Sequence, residues 1–229
     1  YMVMSVLSLF GGLALFIYGM TNMGTGLQKI AGDRMRSILS ALTSNPILGV
    51  LLGTVVTAII QSSSATSVMV IGFVNAGLMT LKQAVAVIIG ANIGTTVTAQ
   101  LIAFDLGDYY LPILAFGFLI YFIAKKNTLK YTGFVFFSFG LLFMGMEIMS
   151  SSMVPLRDSV MFQDFIIRFG GHSVLILLIG MLITFVVQSS SATIGILIAM
   201  SSQGLIGLDV ALPAMLGMNI GTCITAMLA

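Results

Sequence analysis

Two stretches of this chain could bind a small ion. Gln61-Ser62-Ser63-Ser64-Ala65-Thr66 and Gln188-Ser189-Ser190-Ser191-Ala192-Thr193 each set an amide and several hydroxyls inside an otherwise apolar run. Such a polar run cannot lie on one face of a continuous helix, so each motif reads as a break where one half-helix ends and another begins. The half-helix starting at Ser63-Ser64, or at Ser190-Ser191, would present unpaired N–H groups and the positive end of its dipole to an anion. The half-helix ending near Ile60, or Val187, would present carbonyls that suit a small hard cation. The hydroxyls of Ser62, Thr66, Ser189 and Thr193 can serve either partner. A second polar run follows each motif, at Asn92-Ile93-Gly94-Thr95 and Asn219-Ile220-Gly221-Thr222.

The surroundings identify the solvent these groups sit in. Of 229 residues, 59% are hydrophobic and 7% are charged, against about a quarter charged in a soluble domain. The composition is that of an all-α integral membrane protein. The first apolar run has no basic flank or small-residue cleavage site, so it reads as a span and not a leader. The net charge of +2 includes no basic run and gives no reason to expect nucleic acid. One cysteine, Cys223, excludes an internal disulfide and a multi-cysteine metal site.

Apolar length and punctuation then divide the chain. Repeat one, 1–124, reads as a span at 2–21, an interfacial helix at 24–43, a hairpin at 46–78, a helix broken at the Asn-Ile-Gly-Thr run within 83–104, and a short span at 109–124. Repeat two, 131–229, reads as a span at 131–149, an interfacial segment at 150–172, a hairpin at 173–206 and a second broken helix at 210–229. Shifting the sequence by 127 positions lays Leu48–Ala99 on Leu175–Ala226 without a gap, and 22 of those 52 pairs are identical. Internal duplication of this kind is a mark of transporters. An odd number of crossings in repeat one makes the topology inverted, with both hairpins re-entrant and entering from opposite faces. Seven of the nine basic residues (Lys29, Arg34, Arg36, Lys82, Lys125, Lys126 and Lys130) then share one face. The positive-inside rule makes that face cytoplasmic and puts the N-terminus outside.

Two such hairpins would bring their tips together near the midplane. No lysine or arginine falls in an expected membrane segment, so an anion there needs helix ends, hydroxyls and a co-bound cation. If that cation is Na⁺, its occupancy sets anion affinity, and linkage makes the effect reciprocal.

The paired motifs, with the sequences "GLALFIYGM" and "GMNIGTCITA", resemble the sodium/phosphate cotransporter family across nearly the whole chain. The resemblance implies Na⁺-driven symport of inorganic phosphate across the plasma membrane, here a bacterial inner membrane, by alternating access, with no cofactor besides Na⁺ as coupling ion. It implies a shared substrate and ion site at Gln61–Ser64 and Gln188–Ser191, with Asn92, Thr95, Asn219 and Thr222 at a second break, and it does not divide their oxygens between the two ligands. The candidate phosphate ligands are Gln61, Ser62, Ser63, Ser64, Gln188, Ser189, Ser190 and Ser191, and the candidate Na⁺ ligands are Gln61, Ser62, Thr66, Asn92, Thr95, Gln188, Ser189, Thr193, Asn219 and Thr222. Repeat two lacks a counterpart of 109–124, so the chain reads as the core of a longer protein, and the resemblance implies a soluble regulatory domain outside it. Cys223 stands where repeat one has the Thr96 hydroxyl, which reads as a weaker ion site in repeat two. A Na⁺-coupled carboxylate or sulfate carrier is the alternative. An enzyme is not expected: there is no G-x-S-x-G, and the single histidine, His172, reads as a loop residue. Gly11-Gly12 and Gly24-Gly26 read as close helix contacts, at a homodimer interface or within the chain. Ser5, Ser8 and Ser138 read as serines bonded to their own or a neighbouring helix. Glu147 reads as a residue near the outer end of its span.

Overall fold

The computed structural model describes residues 2–31, 45–104, 109–157 and 159–228. The described residues form ten helices and no strand: α1 Met2–Ala31, α2 Pro46–Ile60, α3 Ser63–Asn75, α4 Leu81–Ala103, α5 Tyr110–Ile123, α6 Asn127–Arg157, α7 Val160–Phe169, α8 Ser173–Val187, α9 Ser190–Ser202 and α10 Leu208–Leu228. Three of them, over Met4–Ala31, Leu81–Ala103 and Asn127–Pro155, are long and apolar enough to cross a bilayer. Large apolar side chains left exposed, such as Phe122, Leu81 and Val186, have lipid as their solvent in such a protein.

Local chemistry sets the helix ends. The Asn45 side chain accepts the Ile47 N–H at 3.0 Å, and Pro46 supplies a fixed φ to the first turn of α2. Thr80 and Gln83 form a reciprocal capping box at the start of α4. After α3, the Gly77 N–H bonds to the Val74 carbonyl and the Leu78 N–H to the Phe73 carbonyl, with Gly77 at φ 71°. After α9, Gly204 at φ 67° and Leu205 repeat those two bonds, to Ser201 and Met200. The duplicated Gly-Leu pair is thus a duplicated helix stop, with glycine at the left-handed position that a side chain disfavours.

The chain divides into two compact units whose boundaries fall inside α1 and α6. One unit takes in the described residues between 19 and 140 together with Leu228. In it, a Cβ on Gly49 would stand 3.0 Å from the Ala86 Cβ, one on Gly90 would meet the Val50 carbonyl, and one on Gly94 would lie 2.6 Å from the Thr54 carbonyl oxygen. Partner numbers rise together along both helices, so α4 runs parallel to α2. The chain must therefore return along α3 to begin α4 beside the start of α2. Val56, Ile60, Val70, Met79, Ala84 and Val87 form the core of this three-helix group.

The other unit joins residues 1–18 to 141–227. Gly180 packs on the Ala214 carbonyl, Gly217 on the Leu177 carbonyl, and a Cβ on Gly221 would stand 2.6 Å from the Met181 carbonyl oxygen. These are the contacts of α2 and α4 shifted by 127, so α8, α9 and α10 repeat that arrangement. Phe16, fully buried, presses its ring on Gly195, where a Cβ would come within 2.6 Å of the ring.

The structure corrects several sequence expectations. The break within 83–104 is absent, and α4 is continuous from Leu81 to Ala103; so is α10 from Leu208 to Leu228, despite Pro213. Asn92-Ile93-Gly94-Thr95 and Asn219-Ile220-Gly221-Thr222 are helical because Gly94 and Gly221 admit a neighbouring backbone, and that contact offsets a glycine cost of about 1 kcal/mol. The first span runs past residue 21 to Ala31: a Cβ on Gly24 would stand 2.9 Å from the Ile60 carbonyl oxygen and one on Gly26 would meet Val135, both inside the helix. Of the interfacial helix placed at 24–43, residues 32–43 lie outside the described residues. Likewise α6 continues to Arg157 before α7 begins. Gly12, beside Gly145 and Met149, packs within the chain, whereas Gly11 faces open space.

Ser138 also departs from expectation. It is completely buried, yet its hydroxyl has no hydrogen-bond partner. Gly26 against Val135 sets a register that puts Asn22 at the same level of the α1–α6 seam, and the Asn22 Nδ2 is likewise buried and unpartnered. Ser138→Ala removes an unsatisfied hydroxyl and should stabilise the chain by about 1 kcal/mol. Thermal unfolding in detergent measures it; a lower melting temperature would show that the hydroxyl holds a partner, such as a bridging water.

Candidate functional site

Both Gln-Ser-Ser-Ser-Ala motifs are real breaks, and they are built alike. Gln61 caps α2 in the left-handed conformation (φ 59°, ψ 25°), and Gln188 caps α8 in the same way (φ 58°, ψ 18°). These are the only described residues other than glycine with positive φ. Their N–H groups bond to the Thr57 and Thr184 carbonyls, both at 2.7 Å. The next residues, Ser62 and Ser189, are extended, and their hydroxyls accept the Ala65 and Ala192 N–H groups at 3.1 and 3.3 Å. Each serine is therefore the N-cap of the following helix, and it leaves the first two N–H groups, of Ser63 and Ser64 or Ser190 and Ser191, without an intrahelical acceptor.

The glutamine side chains have a structural use as well. Gln61 Nε2 donates to the Ala58 carbonyl, and Gln188 Nε2 to the Phe185 carbonyl at 2.6 Å. Gln28 Nε2 reaches the Ile60 carbonyl at 3.5 Å. So the carbonyls that the sequence left open to a cation are partly occupied, and the α2 end turns its polarity outward through the Gln61 amide oxygen. That oxygen accepts the Thr98 hydroxyl at 2.9 Å. Gln61 is 8% exposed, whereas Gln188 is exposed.

Thr57 and Thr184, which sequence reasoning missed, each pair with an expected site residue, Thr66 or Thr193, across a break. Thr57 and Thr66 share a hydroxyl contact of 3.0 Å across the α2–α3 junction, and Thr184 and Thr193 share one of 3.0 Å across α8–α9. All four are essentially buried, at 1% exposure or less. The signal was present: Thr57 and Thr184 are identical under the 127-residue shift, as are Thr98, which bonds Gln61, and Thr225. A lone threonine in an apolar run hides because it normally bonds back to its own helix.

Among the expected site residues, Gln61, Ser62, Ser63, Ser64 and Thr66 come together at one break, and Gln188, Ser189, Ser190, Ser191 and Thr193 at the other. Asn92 lies exposed on α4, and Asn219 is half-buried on α10. The Thr95 and Thr222 hydroxyls turn back to the Ala91 and Met218 carbonyls, both at 3.1 Å, and Cys223 faces the Asn219 carbonyl. These residues supply helix-bonded hydroxyls, not a second opening of the backbone. His172 is exposed at the N-cap position of α8 without a capping bond, and exposed Glu147 accepts the Ser151 hydroxyl at 3.2 Å.

Thr98→Val keeps the shape but leaves the buried Gln61 oxygen without this donor. It should destabilise the chain by about 1–2 kcal/mol. A melting temperature unchanged from wild type would mean that the Thr98 bond contributes nothing to the break.

Comparison with known proteins matches residues 15–151 and 158–229 to the family described as Na+/Pi-cotransporter. A Bacillus subtilis protein, "Uncharacterized protein YqeW", is 37% identical over 99% of this chain and 74% of its own length. The Escherichia coli K12 protein "Putative inorganic phosphate export protein YjbB" is 30% identical over 98% of this chain, which spans only 41% of that protein. Human "Sodium-dependent phosphate transport protein 2B" is 34% identical over 44% of this chain and 15% of its own length. No solved structure matches.

Proposed function

The chain belongs to the Na⁺/Pi-cotransporter family, and on that premise we propose that it is the membrane core of a Na⁺-coupled phosphate symporter. The observation that carries the reading is the twin break, in which glutamine twice occupies a left-handed position that glycine would take without strain. Two N–H groups at the start of α3, two at the start of α9, and the serine hydroxyls are donors for a phosphate oxygen. Gln61, Ser62, Thr66, Gln188, Ser189 and Thr193 bring oxygens of the hard type that Na⁺ takes; Asn92, Thr95, Asn219 and Thr222 complete the proposed ion-binding set from the neighbouring helices.

On this reading the breaks bind their ligands near the midplane, the hairpins are re-entrant, and the basic face is cytoplasmic. Bound Na⁺ offsets the phosphate charge that no fixed cation offsets. Each ligand then raises the affinity of the other by the same factor. Alternating access moves the loaded site between the faces of the plasma membrane. The coupling is reversible, so the ion and phosphate gradients set the direction, and export, the activity in the E. coli relative's name, uses the same site.

The test is uptake of labelled phosphate by proteoliposomes under an inward Na⁺ gradient. Accumulation that needs Na⁺ and resists excess sulfate or dicarboxylate supports the proposal. Equal uptake with K⁺ removes the coupling, and full competition by sulfate or dicarboxylate assigns the site to the carboxylate or sulfate alternative.

A further inference from the structure

We propose that the ends of α1, α5 and α6 form a binding site for an anionic phospholipid headgroup. Lys29 lies in the last turn of α1, Lys125 and Lys126 follow the end of α5, and Lys130 lies in the first turn of α6. No acidic residue occurs between Asp108 and Glu147. Lys125, Lys126 and Lys130 therefore have no counter-charge from their own segment.

Two of the four ammonium groups are held in place by aromatic rings. Lys29 Nζ donates to the Tyr131 hydroxyl at 3.2 Å and sits 4.9 Å from the ring centre. Lys130 Nζ sits 5.3 Å from the centre of the Tyr121 ring, which itself packs 5.4 Å from Phe134. Cation–π contact orders the long stems without neutralising their charge. Lys125, Lys126 and Lys130 remain exposed. The Lys130 N–H bonds to the Lys126 carbonyl, so Lys126 sits at the N-cap position of α6 and the N–H groups of the first turn point toward the same corner.

The neighbouring surface specifies a lipid as the source of the anion. Along α5, Phe116, Phe118, Leu119, Phe122 and Ile123 are exposed, with Phe122 at 78%. They lead directly to Lys125. Tyrosine at the boundary between such an apolar face and a basic end is the arrangement that faces the headgroup level of a bilayer. A phosphodiester would sit among the ammonium groups while its acyl chains lie on the phenylalanines; free phosphate would use only the first half of this surface. A juxtamembrane lysine adds about fivefold to the affinity for an anionic lipid.

Native mass spectrometry of the full chain, released from detergent with equal phosphatidylglycerol and phosphatidylcholine, tests the site. Wild type should retain phosphatidylglycerol at least tenfold over phosphatidylcholine. A Lys125→Gln, Lys126→Gln, Lys130→Gln triple variant should lose that preference, and the matching arginine variant should keep it. Lys29→Gln alone should lower it about fivefold and serves where the triple variant does not fold. Parity in wild type, an unchanged preference in the glutamine variants, or equal displacement of the lipid by millimolar inorganic phosphate would each overturn the proposal.

Discussion

Gln61→Gly and Gln188→Gly should each leave the fold intact and abolish Na⁺-dependent phosphate uptake. Both residues hold φ near +60°, a conformation that costs an L-residue about 1–2 kcal/mol and glycine almost nothing. Glycine therefore keeps the backbone bond to Thr57 or Thr184 and relieves strain. It gives up the side-chain bond to Ala58 or Phe185 and, at Gln61, the Thr98 contact, worth about 1 kcal/mol each. The opposing terms leave stability within about 1 kcal/mol of wild type. If the glutamines are only helix caps, transport survives because the cap survives. If their amides are ligands, uptake falls at least a hundredfold while the melting temperature hardly moves. Measuring both quantities on the same preparation separates the two, and normal uptake by either glycine variant would remove that glutamine from the ion site.

The sequence disclosed the breaks because Gln-Ser-Ser-Ser is too polar and too long for one helix face, and because the pattern recurs in register. The Gly-Leu pairs at 77–78 and 204–205 also recur in register, but it is the structure that makes them helix stops, with glycine at φ 71° and 67°. The sequence misread Asn-Ile-Gly-Thr, since helix propensity treats glycine as a defect while the folded chain uses it as a door for another backbone. The first span was ended early for a different reason, the charges interleaved with Leu and Ile after residue 24, whereas Gly24 and Gly26 are the close helix contacts expected of them, against Ile60 and Val135. Pairings between helices were not legible at all. Thr98 and Gln61 are 37 residues apart, and nothing in either segment announces that α4 runs beside α2.

Gly217→Ala and Gly90→Ala should cost far more stability than any change at the serines. A methyl at Gly217 would overlap the Leu177 carbonyl oxygen and stand 2.8 Å from its carbon; at Gly90 it would overlap the Val50 oxygen and stand 2.9 Å from the Thr54 nitrogen. These neighbours are backbone, so no rotamer change relieves the clash, and the parallel helices must separate. Overpacking with side-chain neighbours typically costs about 1–3 kcal/mol; here the loss should reach about 3 kcal/mol or more and show as a collapse in folded, monodisperse protein. Gly72→Ala is the control: it lies inside α3 with nothing within 4 Å of the added Cβ and should gain about 0.5–1 kcal/mol. Gly94 and Gly221, inside the Asn-Ile-Gly-Thr runs, then decide what those runs are for. Added methyls there would stand 2.6 Å from the Thr54 and Met181 carbonyl oxygens, so alanine should destabilise both sites. If Gly94→Ala and Gly221→Ala instead melt like wild type and lose only the Na⁺ dependence of uptake, these glycines shape an ion site and their packing role is secondary. Loss of stability in all four variants makes the paired glycines the joint that holds each hairpin to its long helix.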